Sequence, residues 1–154
     1  MEDIKDFLIE AKKNTYANAA VEKKASSRVG SNDYEYSNGK MVYHDTYFGG
    51  TQFIGEEVVY LEGSEKPVWG MNYYGVTLDH ELSEEAMDKA LRPALMMVGQ
   101  DDVIPVRGPK SFEDGEYKYT FEVDGDLMNF NGLEQIYKGD KKIYELRCSG
   151  GKII

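Results

Sequence analysis

Glu57 and Glu134 stand where a carboxylate is costly. Each follows an aromatic residue and a glycine at alternate positions, in Phe53-x-Gly55-x-Glu57-x-Val59-Tyr60 and Phe130-x-Gly132-x-Glu134-x-Ile136-Tyr137. Alternate residues of an extended chain share a side, so each glutamate lies on an otherwise apolar face, where a charge needs a partner. Two readings are open. In the first, the two carboxylates meet among aromatics and hold a cation or share a proton, because close carboxylates raise one another's proton affinity. In the second, each glycine marks a bulge that flips the register and sends its glutamate to solvent or to a turn.

Other residues offer less. Arg107 sits in a loop stiffened by Pro105 and Pro109, where it can grip a carboxylate or end in a surface salt bridge. His44-Asp45 and Cys148 raise base or nucleophile chemistry. No third orienting residue is identifiable, however, and Cys148 occupies a core-facing slot where a thiol acts as a small hydrophobe. Two histidines and one cysteine are too few for a zinc site. Asp124-Gly125-Asp126 reads as a hairpin turn, lacking the further ligands of a calcium loop. Gly49-Gly50 and Gly150-Gly151 precede no helix that could hold a phosphate. No metal or cofactor is expected. Trp69 and Tyr73 belong to the core or to the wall of a shallow pocket, with Asn72 and Tyr74 on the opposite face. The expected ligand contacts are Glu57, Glu134, Trp69, Tyr73, Tyr119, Asp45 and Arg107.

These residues must be positioned by helices and antiparallel strands. Asp3 is a candidate cap for a helix whose Ile4, Phe7, Leu8 and Ala11 form one stripe, and residues 18–32 read as a loop. Strands are expected at Tyr34 to Tyr36, Lys40 to Phe48, Thr51 to Leu61 and Val68 to Val76, with a hairpin turn at Asn38-Gly39. Ser83 opens a second helix carrying Met87, Ala90, Leu91, Ala94, Leu95 and Val98, which ends at Gly99 and is kinked or split by Pro93. Strands at Glu116 to Val123, Leu127 to Tyr137 and Lys142 to Cys148 follow, the first with Tyr117, Tyr119, Phe121 and Val123 on one face.

The matched stretches, together with Val68-Trp69-x-Met71 against Ile143-Tyr144-x-Leu146, suggest an internal duplication about a pseudo-two-fold axis. The expected fold class is therefore α+β: two helix-strand-strand-strand halves, about 1–78 and 79–154. They build one domain with helices packed on one face of a curved antiparallel sheet.

A net charge of -10 over 154 residues disfavours phosphate backbones, so no nucleic-acid partner is expected. No apolar run is long enough to cross a bilayer, so no membrane partner is expected either. The lone cysteine and the start Met1-Glu2-Asp3 point to the cytoplasm. The chain is rich in tyrosine, with 12 Tyr against 6 Phe, which suits half-wet sheets and ligand pockets alike.

Phe7-Leu8-x-x-Ala11-Lys12-x-x-Thr15-Tyr16-Ala17, Asp45-x-Tyr47-x-Gly49-Gly50-x-x-Phe53-x-Gly55-x-Glu57, Val68-Trp69-x-Met71-Asn72-Tyr73-x-Gly75, Arg107-Gly108-Pro109 and Phe130-x-Gly132-x-Glu134-x-Ile136 together resemble a bacterial domain family of unknown function. The family occurs alone or behind a helix-turn-helix domain of the repressor type. The resemblance spans nearly the whole chain and implies a sensor or effector role without an established activity. These residues leave no room for a helix-turn-helix, and Cys148-Ser149-Gly150-Gly151 departs from the family's more aromatic, histidine-containing approach to the glycines. The arrangement also looks like the effector portions of multidrug-responsive regulators, which bind greasy cations in aromatic pockets above a glutamate; fold analogy alone fixes no function. The expected function is non-enzymatic binding of a small cationic or aromatic ligand between the halves. A protein-interaction partner of a transcription regulator is the alternative, and an acid/base enzyme using paired carboxylates the third.

Overall fold

Side chains that alternate apolar and polar with period two dominate this chain, and they form strands. In the computed structural model, which describes residues 2–79 and 84–154, eight of them make one antiparallel sheet. They are β1 (Asn32–Ser37), β2 (Met41–Gly49), β3 (Gln52–Leu61), β4 (Pro67–Thr77), β5 (Ser111–Asp114), β6 (Tyr117–Asp126), β7 (Asn129–Lys138) and β8 (Lys141–Lys152). Their order is β1-β2-β3-β4-β8-β7-β6-β5, so the central seam joins β4 to β8, with Tyr73 opposite Cys148.

Helices are few. α1 (Glu2–Lys13) precedes the sheet; between β4 and β5 run α2 (Glu84–Ala86), a π-turn (Met87–Leu91) and α3 (Arg92–Met96). The α+β expectation of helices packed on a sheet is thereby corrected to a sheet-dominated fold. The internal repeat is corrected with it. Each half supplies four strands rather than three, and one continuous 12-residue helix faces a segment broken into three short pieces. The matching Phe/Gly/Glu stretches reflect a shared demand, that of a strand with one face in the core, which the same alternation meets twice.

Local expectations shift as well. The first helix begins at Glu2, so Asp3 lies inside it rather than capping it. Ser83 lies outside the described residues. Pro93 falls in the first turn of α3, directly after the wider π-turn. The second hairpin turns two residues later than expected, because Asp126 pairs with Asn129 and accepts bonds from the Met128 and Asn129 amides at 2.8 and 3.2 Å. β5 was not legible in the sequence: only Phe112 of its four residues leaves the solvent.

The loop before β1 is fastened by one acid. Buried Asp33 accepts bonds from the Ser27 hydroxyl and amide, Ser31 and Thr46 at 2.6–3.0 Å. Burial pushes its carboxyl up, but these donors outweigh that and hold it well below the usual carboxylate range.

The core lies on one face of the sheet. Tyr43, Val59, Trp69, Met71, Tyr119, Phe121, Phe130, Ile136 and Leu146 point into it, opposed by Phe7, Leu8 and Ala11 of α1 and by Ala90, Leu91, Ala94 and Leu95. Among the described residues no helix is long and apolar enough to cross a membrane.

Candidate functional site

Besides Asp33 of β1, the described residues bury five acidic or basic side chains together: Lys12, Asp45, Glu57, Arg107 and Glu134. Glu57 and Glu134 are wholly shielded from solvent. The bulge reading of their glycines is therefore overturned. The irregularities in the ladders fall at Val59/Tyr60 and Ile136/Tyr137, beyond each glutamate, so the register carries both inward. Gly55 serves close approach instead: a Cβ there would stand 2.4 Å from the Tyr73 hydroxyl oxygen.

Each glutamate has its own cation, delivered from outside the sheet. Lys12, at the end of α1, bonds Glu57 through Nζ. Arg107 reaches Glu134 with two parallel bonds, Nε to Oε2 at 2.9 Å and an Nη to Oε1 at 2.7 Å. Such forks match carboxylate geometry and are the strong form of the contact. Arg107 thus grips a carboxylate in the core and makes no surface salt bridge. Tyr119 and Tyr144 also donate to Glu134, at 2.5 and 2.9 Å, and the Gly108 amide donates to the Tyr119 hydroxyl at 2.9 Å. The ring of Tyr16 lies between the two ion pairs, 5.4 Å from Lys12 Nζ and 5.3 Å from the Arg107 guanidinium.

Asp45 is the exception. It lies directly across from Glu57 on neighbouring strands and takes one short hydrogen bond, 2.6 Å, from the Tyr73 hydroxyl. Burial, reinforced by the Glu57 charge, pushes its carboxyl up to about 7, against the pull of Tyr73, Lys12 and Arg107. Burial also lowers the Lys12 ammonium, opposed by Glu57. The phenols of Tyr16, Tyr43, Tyr73, Tyr119 and Tyr144 are all driven up, first by burial and then by the carboxylates; Tyr73, Tyr119 and Tyr144 act as neutral donors to them.

A cavity of about 410 Å³ opens beside this network, between the sheet and the segment of α3 and the π-turn. Asp45, Tyr73, Arg107 and Tyr144 form its polar part; Tyr16, Tyr34, Tyr47 and Phe53 give aromatic wall; Met87, Leu91 and Leu95 close the helical side. Exposed Lys23 and part-exposed Arg92 mark its mouth. The size suits a small molecule, and the mixture of apolar wall with a few convergent polar groups is that of binding sites generally.

Of the seven expected contact residues, the structure brings Asp45, Tyr73 and Arg107 to the cavity. Glu134 and Tyr119 lie behind Arg107 and set its position. Glu57 lies behind Asp45. Trp69 is elsewhere: its indole donates to the Leu127 carbonyl at 2.8 Å and its ring stacks on Phe130 at 6.2 Å. His44 faces out, 3.4 Å from Glu35. Cys148 is buried on the seam, and burial pushes its thiol up to about 12.

Sequence reasoning missed Lys12, Tyr16 and Tyr144. Lys12 had a signal: Ile4, Leu8, Lys12 and Tyr16 continue one i, i+4 row, so a lysine on the apolar stripe was written in the helical spacing.

The fold and this network define a sheet-built domain with an open pocket whose floor is polar. The chain belongs to the family described as Domain of unknown function (DUF5680), whose model matches residues 45–153. No curated protein and no solved structure matches the chain. The matched span begins at Asp45 and takes in Glu57, Tyr73, Arg107, Glu134 and Tyr144, leaving Lys12 and Tyr16 before it.

Proposed function

We propose that this protein is a non-enzymatic module of the cytoplasm that binds a small cationic or aromatic ligand in the cavity between Asp45 and the π-turn. One observation carries the reading: aromatic walls converge on a carboxyl and an arginine that the fold holds rigidly. Positioning of this kind costs stability, since buried ion pairs repay their desolvation poorly. Binding sites are where such costs are commonly met. The acid/base alternative fits less well. Glu57 and Glu134 are each closed off by a cation, and neither lines the cavity.

The resemblance to bacterial domains that stand behind helix-turn-helix domains motivates the proposal of a sensor or effector role for such a ligand. A thermal-shift screen of cationic, neutral and anionic aromatic compounds tests the reading on wild type and Met87→Trp, which fills the cavity from its helical side. Compounds that stabilise wild type should lose their effect in the variant. Equal shifts in both proteins, or none in either, would count against cavity binding.

A second reading, a protein-interaction partner of a transcription regulator, draws on the opposite face of the sheet. Ile54 and Tyr74 are 57% and 48% exposed there, beside a groove of about 650 Å³ lined also by Phe48, Arg28 and Arg147. Apolar exposure on an open sheet face is a feature of docking surfaces.

A further inference from the structure

The buried network holds three carboxyl groups and two cations. Lys12 is matched to Glu57, and Arg107 is matched to Glu134, which takes the edge formed by its Nε and one Nη. Asp45 is left with a phenol alone. The groups around it come from every neighbouring element. Glu57 faces it from β3 and Tyr73 from β4; Lys12 and Tyr16 approach from α1 and the turn after it; Arg107 comes from the buried link before β5. Tyr43 and Tyr47 share its strand, Tyr34 stands on β1, and Lys23 and Arg92 stand at the mouth. The two mouth cations are otherwise engaged, Lys23 with Asn32 at 2.9 Å and over the Tyr47 ring, Arg92 with Asp88.

We infer that the cavity receives a single protonated amine on a flat apolar body, which pairs with the Asp45 carboxylate in exchange for one proton. The inference rests on the ligand-binding reading above and gives the ligand its charge. The exchange balances: the ammonium keeps its protons, the Asp45 O–H bond breaks, and that proton leaves to solvent. Aromatic faces of Tyr16, Tyr47 and Phe53 suit both the ring and the cation. Lys23, bonded to the neutral Asn32 side chain, keeps its charge at the mouth and repels a second positive charge, so a polyamine is a poor fit while a singly charged arylalkylamine is a good one.

Occupancy then depends on pH with a definite sign. With the carboxyl pushed up to about 7, amine affinity should fall about tenfold per pH unit below that value and level off above it.

Calorimetry with tryptamine, its uncharged counterpart tryptophol, and spermidine tests this at about pH 6, in buffers of different ionisation enthalpy. Wild type should bind tryptamine with release of close to one proton, and bind tryptophol and spermidine more weakly. Asp45→Asn should abolish the proton release and remove the preference for tryptamine. Tyr73→Phe takes away a bond to the carboxylate, so it should move the pH dependence upward; it serves as the second variant should Asp45→Asn fail to fold. Equal binding of tryptamine and tryptophol without proton release would overturn the exchange while leaving cavity binding standing. Absence of binding by all three, in a protein that the aromatic screen also leaves unshifted, would overturn both.

Discussion

Asp45 and Glu57 stand opposite one another on β2 and β3, both shielded from water, and Glu57 alone has a cation bonded to it. Two carboxyl groups so placed cannot both ionise freely. Asp45 carries the strain, and its consequences are measurable.

Stability should depend on pH through this group. A folded value of about 7 stands above the ordinary 3.8, so the folded state binds the proton more tightly than the unfolded chain. The resulting stabilisation is complete below the ordinary value and is lost as pH rises through about 7. Wild type should therefore melt higher at about pH 5.5 than at about pH 8, and Asp45→Asn should lack that part of the difference. Differential scanning calorimetry across this range reads it directly, and parallel curves for both proteins would refute the assignment.

Arg107→Met should cost about 3–5 kcal/mol, because it leaves the Glu134 carboxylate buried without its cation. Adding Glu134→Gln should recover part of the loss, since the buried charge is gone and the amide oxygen still accepts from one of the two phenols that bond the separate carboxylate oxygens. Urea unfolding of the two single variants and the double variant gives the coupling. Additive costs would mean that the fork contributes nothing specific.

Gly55→Ala tests the contact between β3 and Tyr73. The new methyl carbon would meet the Tyr73 hydroxyl at 2.4 Å and the Thr46 carbonyl oxygen at 2.7 Å, so the ring must move. A cost of about 1–3 kcal/mol is expected from overpacking. Displacing the phenol from Asp45 should also raise the proton affinity of that carboxyl further, visible in an NMR titration of the side chain. A neutral substitution with an unchanged titration would contradict the packing described.

Cys148 should resist alkylation in the folded protein at about pH 8 and react readily in urea, because its thiol is buried and pushed up to about 12. Rapid labelling without denaturant, followed by intact mass, would show that the β4–β8 seam opens.

Much of the sheet was legible because each strand has one wet and one dry face, and that requirement writes period two into residues such as Tyr117, Tyr119 and Phe121. The strand bounds shift by up to four residues, most at the end of β8, where ladder bonds run past Cys148 to Lys152. What failed was the inference from resemblance of stretches to resemblance of halves. Phe53-x-Gly55-x-Glu57 and Phe130-x-Gly132-x-Glu134 share an environment, yet one glutamate takes a lysine and the other an arginine with two phenols. Partners from distant segments leave no mark beside the residue they pair with. Asp45, Tyr73 and Arg107 were identifiable by type, whereas the cavity that gathers them depends on where the π-turn passes over the sheet, which local spacing does not encode.

Lys12 and Arg107 both reach the sheet from segments that lie above it, and each is fixed there by a charged contact of defined direction. Greasy surfaces tolerate sliding; ionic contacts of this kind do not. The roof of the domain is thus pinned at two points to its floor, and the span between the pins sets the clearance left for a guest molecule.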